Sequence, residues 1–238
     1  MIRNLAEILG IGVDTFTKDS ALEYIEKKRG HVVTINPEMI INANKNSEFK
    51  EIINNADLVI PDGIGVEIGL KILGHRVKRI AGIEFGKELL YNAAKSGGKV
   101  ALIGAKPEVI SLAKKKLESE FENLNIIYTH DGYFAQPTEI YEKLIETAPD
   151  LILVALGSPK QEMFISKIKD KLPNSIMIGL GGSFDVWSGM SKRAPLIYQK
   201  MGLEWLYRAI KEPKRFKRIF PTIPLFLLNV LVERITKK

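Results

Sequence analysis

The sequence predicts an α/β protein: a Rossmann-like, mostly parallel sheet with helices on both faces, plus a short C-terminal appendage. Three observations carry this. Apolar runs of strand length alternate with stretches of helical periodicity along most of the chain. In DLILVALGSPKQE (150–162), Leu151 to Gly157 are apolar or glycine, as a strand buried on both faces requires. The next residues place Met163, Phe164, Ile165, Ile168 and Leu172 at helical spacing. Finally, no internal repeat, low-complexity linker or composition break precedes about residue 195. Residues 1–194 are therefore read as the α/β core and 195–238 as a helical appendage.

In chain order, ILGIGVD (8–14) reads as one short strand. Ser20 caps a helix that Gly30 ends. HVVTINP (31–37) is a β-branched strand stopping at Asn36-Pro37, with helices following over 38–44 and 47–55. DLVIPDG (57–63) is the next strand, turning at Pro61-Asp62-Gly63. A helix closed by Gly74, the basic connector HRVKRIAG and the helix IEFGKELLYNAAKSGG come next. Strand KVALIGA (99–105) leads to a helix opened by Pro107. Strand NIIYTHDGYF (125–134) leads to the helix PTEIYEKLIETA. The strand at 150–156, its helix to Leu172, and SIMIGLGGSFD (175–185) complete the alternation.

In a parallel sheet the residues just past each strand gather along one edge, where ligands bind. Here they include Thr34 and Asn36, Asp62-Gly63, Gly104, Gly132-Tyr133, Gly157 to Glu162, and Gly182 to Asp185. Glycines let backbone approach a ligand closely, and helix N-termini attract phosphate. The set reads as a nucleotide-sugar or dinucleotide crevice. Asp62, after a buried strand and between Pro61 and Gly63, is the candidate general base; shaping an Asx turn is its plainer role. Thr34 and Asn36 offer groups for sugar hydroxyls, or merely end their strand. Gly63-Ile64-Gly65-Val66-Glu67-Ile68-Gly69 imitates a dinucleotide fingerprint, but its third glycine falls one position late. A nicotinamide or flavin enzyme is therefore a distant second reading.

Composition narrows the chemistry. With no cysteine, the chain has no disulfide, thiolate metal site or cysteine nucleophile. His31, His75 and His130 lack ligand spacing, no D-x-D or H-E-x-x-H motif occurs, and no metal or cofactor is expected. A leaving pyrophosphate would be met by arginine, lysine and backbone N–H groups; Arg76, Arg79, Lys192 and Arg193 are available. Residues 211–238 carry +6 of the formal charge of +7, which argues against a broad nucleic-acid face and for an anionic partner at the C-terminus. When the tail meets a bilayer, we expect Arg215 and Arg218, joined by Arg208, to fold over the crevice and help hold a diphosphate.

TINPEM (34–39), PDGIGV (61–66), RVKRIAG, HDGYF, VALGSPKQE (154–162), GLGGSFDVWSG (179–189) and RAPLIYQKMGLEWLYRAIKEPKR (193–215) follow one another in order. In these motifs the chain resembles the WecG/TagA/CpsF glycosyltransferases over roughly residues 5–220. The resemblance implies inverting, metal-independent transfer of N-acetylmannosamine from UDP to the 4-hydroxyl of GlcNAc on undecaprenyl diphosphate. That would form the β(1→4) linkage of the wall teichoic acid linkage unit. It implies Asp62 as base, Thr34 and Asn36 near the sugars, and Gln161, Glu162, the glycine turns and Asp185 around the UDP-sugar. Relatives using other UDP-amino sugars share these motifs.

The apolar stretch Ile219 to Val232 contains Pro221 and Pro224. It is too short and broken to span a bilayer, yet long enough to lie in its interface. The opening MIRNLAEILGIGVD is short and interrupted by charge, so no signal peptide is expected there. The expected location is cytoplasmic, peripheral on the inner face of the membrane. An exposed apolar tail also invites a homo-oligomer. A different class of reading is a nucleotide-sugar-binding protein that recruits other enzymes to the membrane without catalysis.

Overall fold

The computed structural model describes residues 2–211 and 220–237. Its centre is a six-stranded, wholly parallel sheet: β3 (Gly30–Ile35), β4 (Leu58–Pro61), β5 (Lys99–Gly104), β6 (Asn125–His130), β7 (Leu151–Ala155) and β8 (Ile176–Gly179). The spatial order is β4-β3-β8-β7-β5-β6. β7 and β8 thus fill the middle, buried along their whole length, which is why both read as uninterrupted apolar runs. One apolar cluster covers one face of the sheet; two smaller ones share the other, divided between its β3–β4 and β5–β7 halves.

The N-terminal stretch departs from the expected single strand. It is an antiparallel hairpin of β1 (Leu5–Ile8) and β2 (Ile11–Asp14), turning at Leu9-Gly10. Helix α1 (Lys18–Lys28) is capped by Thr17, whose hydroxyl accepts from the Ser20 N–H; Gly30 opens β3 rather than closing the helix. Helices α2 (Pro37–Ala43) and α3 (Ser47–Asn54) follow β3, with Asn36 and Asn46 as N-caps. Next come α4 (Ile64–Ile72) and α5 (Gly82–Ser96), joined by the basic connector.

Helices α6 (Pro107–Glu120), α7 (Thr138–Thr147) and α8 (Lys160–Ile168) each follow a strand. Strand β6 stops at His130, so Asp131 to Phe134 form a loop instead of its end. α8 is shorter than expected and passes into a 3₁₀ turn over Lys169–Lys171. Beyond β8 lie the short helices α9 (Ser183–Trp187) and α10 (Leu196–Lys200), then α11 (Glu204–Lys211) and α12 (Thr222–Thr236).

Helix α12 packs on α2 and α4. Phe226 and Val230 are fully buried among hairpin, α2, α3 and α4 side chains, while Leu228, Leu231, Val232 and Ile235 face outward. No described helix is long and apolar enough to cross a membrane.

Candidate active site

Two cavities open at the carboxyl edge of the sheet. The smaller, about 360 Å³, lies beyond β3, β4 and β8 and is lined by Thr34, Asn36, Asp62, Gly63, Arg79, Gly157, Gln161 and Gly182 from the expected set. The larger, about 990 Å³, lies beyond β5, β6 and β7 and takes Gly132, Tyr133 and Asp185. Their volumes span the range of small-molecule sites. Helices α8 and α9 divide the two: Gln161 and Gly182 line one cavity, Lys160 and Asp185 the other.

In the smaller crevice, Asp62 is the first residue past β4, and its N–H extends the ladder to the Ile35 carbonyl at 2.7 Å. That bond fixes the backbone bearing the carboxylate. Thr34, buried on neighbouring β3, donates its hydroxyl to the Gly179 carbonyl at 3.0 Å, so only its oxygen lone pairs remain for a ligand. Asn36 Oδ1 accepts from the Met39 N–H at 3.0 Å as the α2 cap, which leaves its amide hydrogens for the crevice. Asn36 thus ends its strand as the α2 cap, whereas Thr34 lies within β3, and both line the crevice.

Helices α4 and α5 open onto the crevice at Gly63 and Ala81 with no side-chain cap. Uncapped N-termini offer backbone N–H groups and a positive dipole end to an anion. Arg79 donates from Nη2 to the Gln199 carbonyl at 3.1 Å and keeps further donors beyond that one. Arg193, by contrast, is held by Glu84 at 2.7 Å and Glu204 at 3.6 Å; it ties α11 to α5. Arg215 and Arg218 lie outside the described residues, as does the side chain of Arg208.

Gln161 and Glu162 are both buried at the start of α8. Gln161 reaches the crevice, whereas Glu162 lines neither cavity. Burial raises the Glu162 carboxyl above the ordinary carboxylate range, against the smaller opposing effects of the Gln161 amide and the Ser158 hydroxyl. Gly104 also lines neither cavity; a Cβ there would run into the Ala155 backbone, so its glycine serves the β5–β7 approach.

In the larger cavity, Asp131 Oδ1 accepts the Tyr133 N–H at 2.8 Å, and the Gly132 N–H bonds the Ala105 carbonyl at 2.8 Å. This loop presents Tyr133 with 71% of its surface exposed. Phe134, Tyr141 and Phe164 form an aromatic wall, and Lys106, Lys160 and Lys167 add positive charge. Reading strand ends alone finds Phe134 but misses the rest of the wall, since Tyr141 comes from α7 and Phe164 from α8. It also misses Glu204 and Trp205, which reach the smaller crevice from α11. The Gly63–Gly69 pattern serves packing at its far end, where Gly69 abuts Ile8 and Phe226.

A parallel sheet with paired cavities at its carboxyl edge, one of them lined by the Asp62 carboxylate, has the build of an α/β protein that holds its ligand beyond the strand ends. The chain belongs to the glycosyl transferase WecG/TagA/CpsF family, whose sequence profile matches residues 6–238. It is 41% identical over 217 residues to the N-acetylglucosaminyldiphosphoundecaprenol N-acetyl-beta-D-mannosaminyltransferase of Bacillus subtilis (strain 168), covering 90% of this chain and 84% of the relative.

Proposed function

We propose that this enzyme transfers N-acetylmannosamine from its UDP conjugate to the 4-hydroxyl of GlcNAc on undecaprenyl diphosphate, at the inner face of the membrane. The observation that carries the proposal is the convergence of Asp62, Thr34, Arg79 and Gln161 on one crevice bordered by two uncapped helix N-termini. That crevice suits a sugar with its diphosphate. The larger cavity, with its exposed tyrosine and aromatic wall, suits the nucleoside.

Asp62 takes the proton of the acceptor hydroxyl as that oxygen attacks the anomeric carbon. The bond to the diphosphate breaks on the opposite side, and UDP leaves with the electron pair. One displacement inverts the centre and needs no covalent intermediate. Arg79 and the N–H groups opening α4 and α5 meet the charge that develops on the leaving diphosphate.

The test is UDP release with a panel of UDP-amino sugars and a lipid-linked GlcNAc acceptor. Asp62→Asn is expected to bind UDP-sugar and to lose roughly 10²-fold or more in turnover. Unchanged turnover in that variant removes Asp62 as the base. No release from the unmodified protein with any donor removes the enzyme reading and favours a binding role.

A further inference from the structure

The buried pair behind the crevice has an orientation that only one assignment satisfies. The Gly181 backbone N–H, a donor only, lies 2.9 Å from the Gln161 amide oxygen. The amide nitrogen therefore lies on the Glu162 side, and it donates to Glu162 Oε1 at 2.8 Å. One hydrogen of that NH₂ group is spent on Glu162, and the other remains for a group bound in the crevice. The carboxamide lies flat on Gly179, where a Cβ would come within 2.5 Å of Nε2. Gly179 is also the residue whose carbonyl holds the Thr34 hydroxyl. The second oxygen of Glu162 is buried and makes no hydrogen bond.

We propose that Glu162 is a positioning residue, one that fixes from behind which end of the Gln161 carboxamide faces the substrate. This rests on the reading of the crevice as a glycosyl-transfer site. Without Glu162, the carboxamide loses the partner that anchors its nitrogen and can swing away from Gly181, withdrawing its donor from the crevice. The Gly181–Gly182 turn, hung on the same carboxamide, would lose its anchor too.

A fully buried carboxyl with one oxygen unbonded is costly to ionise. The influences on its titration are burial first, then the Gln161 amide, the Ser158 hydroxyl and its own backbone, with no charged side chain among them. Both observations press Glu162 toward its neutral form, in which its carboxyl oxygen accepts from Gln161. A glutamine at 162 presents the same acceptor.

The experiment compares Glu162→Gln, Glu162→Ala and Gln161→Ala with the unmodified protein in the UDP-release assay. Glu162→Gln is expected to keep turnover close to the unmodified level, and Glu162→Ala to fall about tenfold, as for the loss of one buried hydrogen bond. A Glu162→Gln enzyme that is folded yet falls as far as Glu162→Ala overturns the proposal, since a charge would then be needed. Equal turnover in all forms overturns it as well.

A second arm reads stability against pH, without activity. A carboxyl raised in the folded state holds its proton more tightly than in the unfolded chain. Its contribution is full below the unfolded value of 4.5 and declines as pH rises from there through the raised folded value. Glu162→Gln should remove that decline, and an unchanged pH profile overturns the neutral-acid assignment even if Glu162→Ala fails to fold. Absence of turnover in the unmodified protein removes the functional reading and the positioning role with it, while this second arm still reports the state of the carboxyl.

Discussion

Gly69 of α4 lies directly against Phe226 of α12: a Cβ on the glycine would sit 2.9 Å from the ring's Cζ and 2.7 Å from Ile8 Cδ1. Three segments far apart in the chain, the N-terminal hairpin, α4 and the C-terminal helix, meet at this one position. Both side chains around it are fully buried.

Gly69→Ala sets two effects against each other. Alanine improves helix propensity by about 1 kcal/mol. Overpacking against two buried side chains costs about 1–3 kcal/mol. Since Phe226 and Ile8 are both fully buried, overpacking is expected to win, and Gly69→Ala should lower the urea midpoint. Phe226→Ala, which empties the same contact, should lower it further, by roughly 3–5 kcal/mol of stability. A raised midpoint for Gly69→Ala would show that α12 yields readily at this contact.

The same position shows what a sequence can and cannot disclose. The central strands β7 and β8 are legible because burial on both faces leaves an unbroken apolar run in each. Strand ends then locate Thr34, Asp62 and Gln161, which the structure brings to one crevice. The hairpin is not legible, since its turn places Leu9 at φ 50° beside Gly10 at φ 73°. A leucine in the left-handed region carries no turn signal. Glu162 is the instructive case, because helical spacing sets Gln161 with Ile165 and Ile168 on one buried face. That periodicity marks the start of α8 as buried. It does not tell which of the two polar side chains reaches the crevice, because that depends on a hydrogen bond to Gly181, a turn 20 residues away.

His31 gives a pH dependence far from the site. It is buried on β3 with both ring nitrogens unbonded. Burial, then the nearby Lys169 charge, lowers its pKa from 6.5 to about 3, with Asp57 opposing. Between these values the unfolded chain binds a proton that the folded one refuses. Stability therefore falls as pH drops from about 6.5 toward 3, by up to roughly 1.4 kcal/mol per pH unit. His31→Leu should flatten this slope when denaturation midpoints are compared at neutral and mildly acidic pH. Parallel profiles for the two proteins would mean that His31 finds a partner or solvent when charged.

Tyr133 tests the assignment of the larger cavity. Its exposed ring, on a loop pinned by Asp131, is the surface a base would stack on. Tyr133→Ala is expected to weaken UDP binding by roughly 1–3 kcal/mol, the usual loss for one base–aromatic stack. Tyr133→Phe should retain most of it. Calorimetric titration with UDP, and separately with uridine, checks both. Equal affinity for UDP in all three forms would move the nucleoside out of this cavity.

The last prediction concerns the outward face of α12. Leu228, Leu231 and Ile235 are 58%, 47% and 73% exposed and follow at helical spacing, on the side opposite Phe226 and Val230. Five lysines or arginines between residues 211 and 218 precede this helix in the sequence. An apolar stripe beside a basic run is suited to an anionic membrane surface, where the stripe enters the interface and the charges meet headgroups. Changing the three residues to serine should therefore weaken binding to vesicles containing anionic lipid roughly 100-fold or more. Stability should be little altered, because the changed side chains lie outside the core that Phe226 and Val230 complete. Added salt should weaken the unmodified protein's binding, and neutral vesicles should bind it less. Retained vesicle binding in the triple variant would assign the membrane contact to charge alone. Loss of binding together with a fall in denaturation midpoint would instead place the stripe in contacts within the protein.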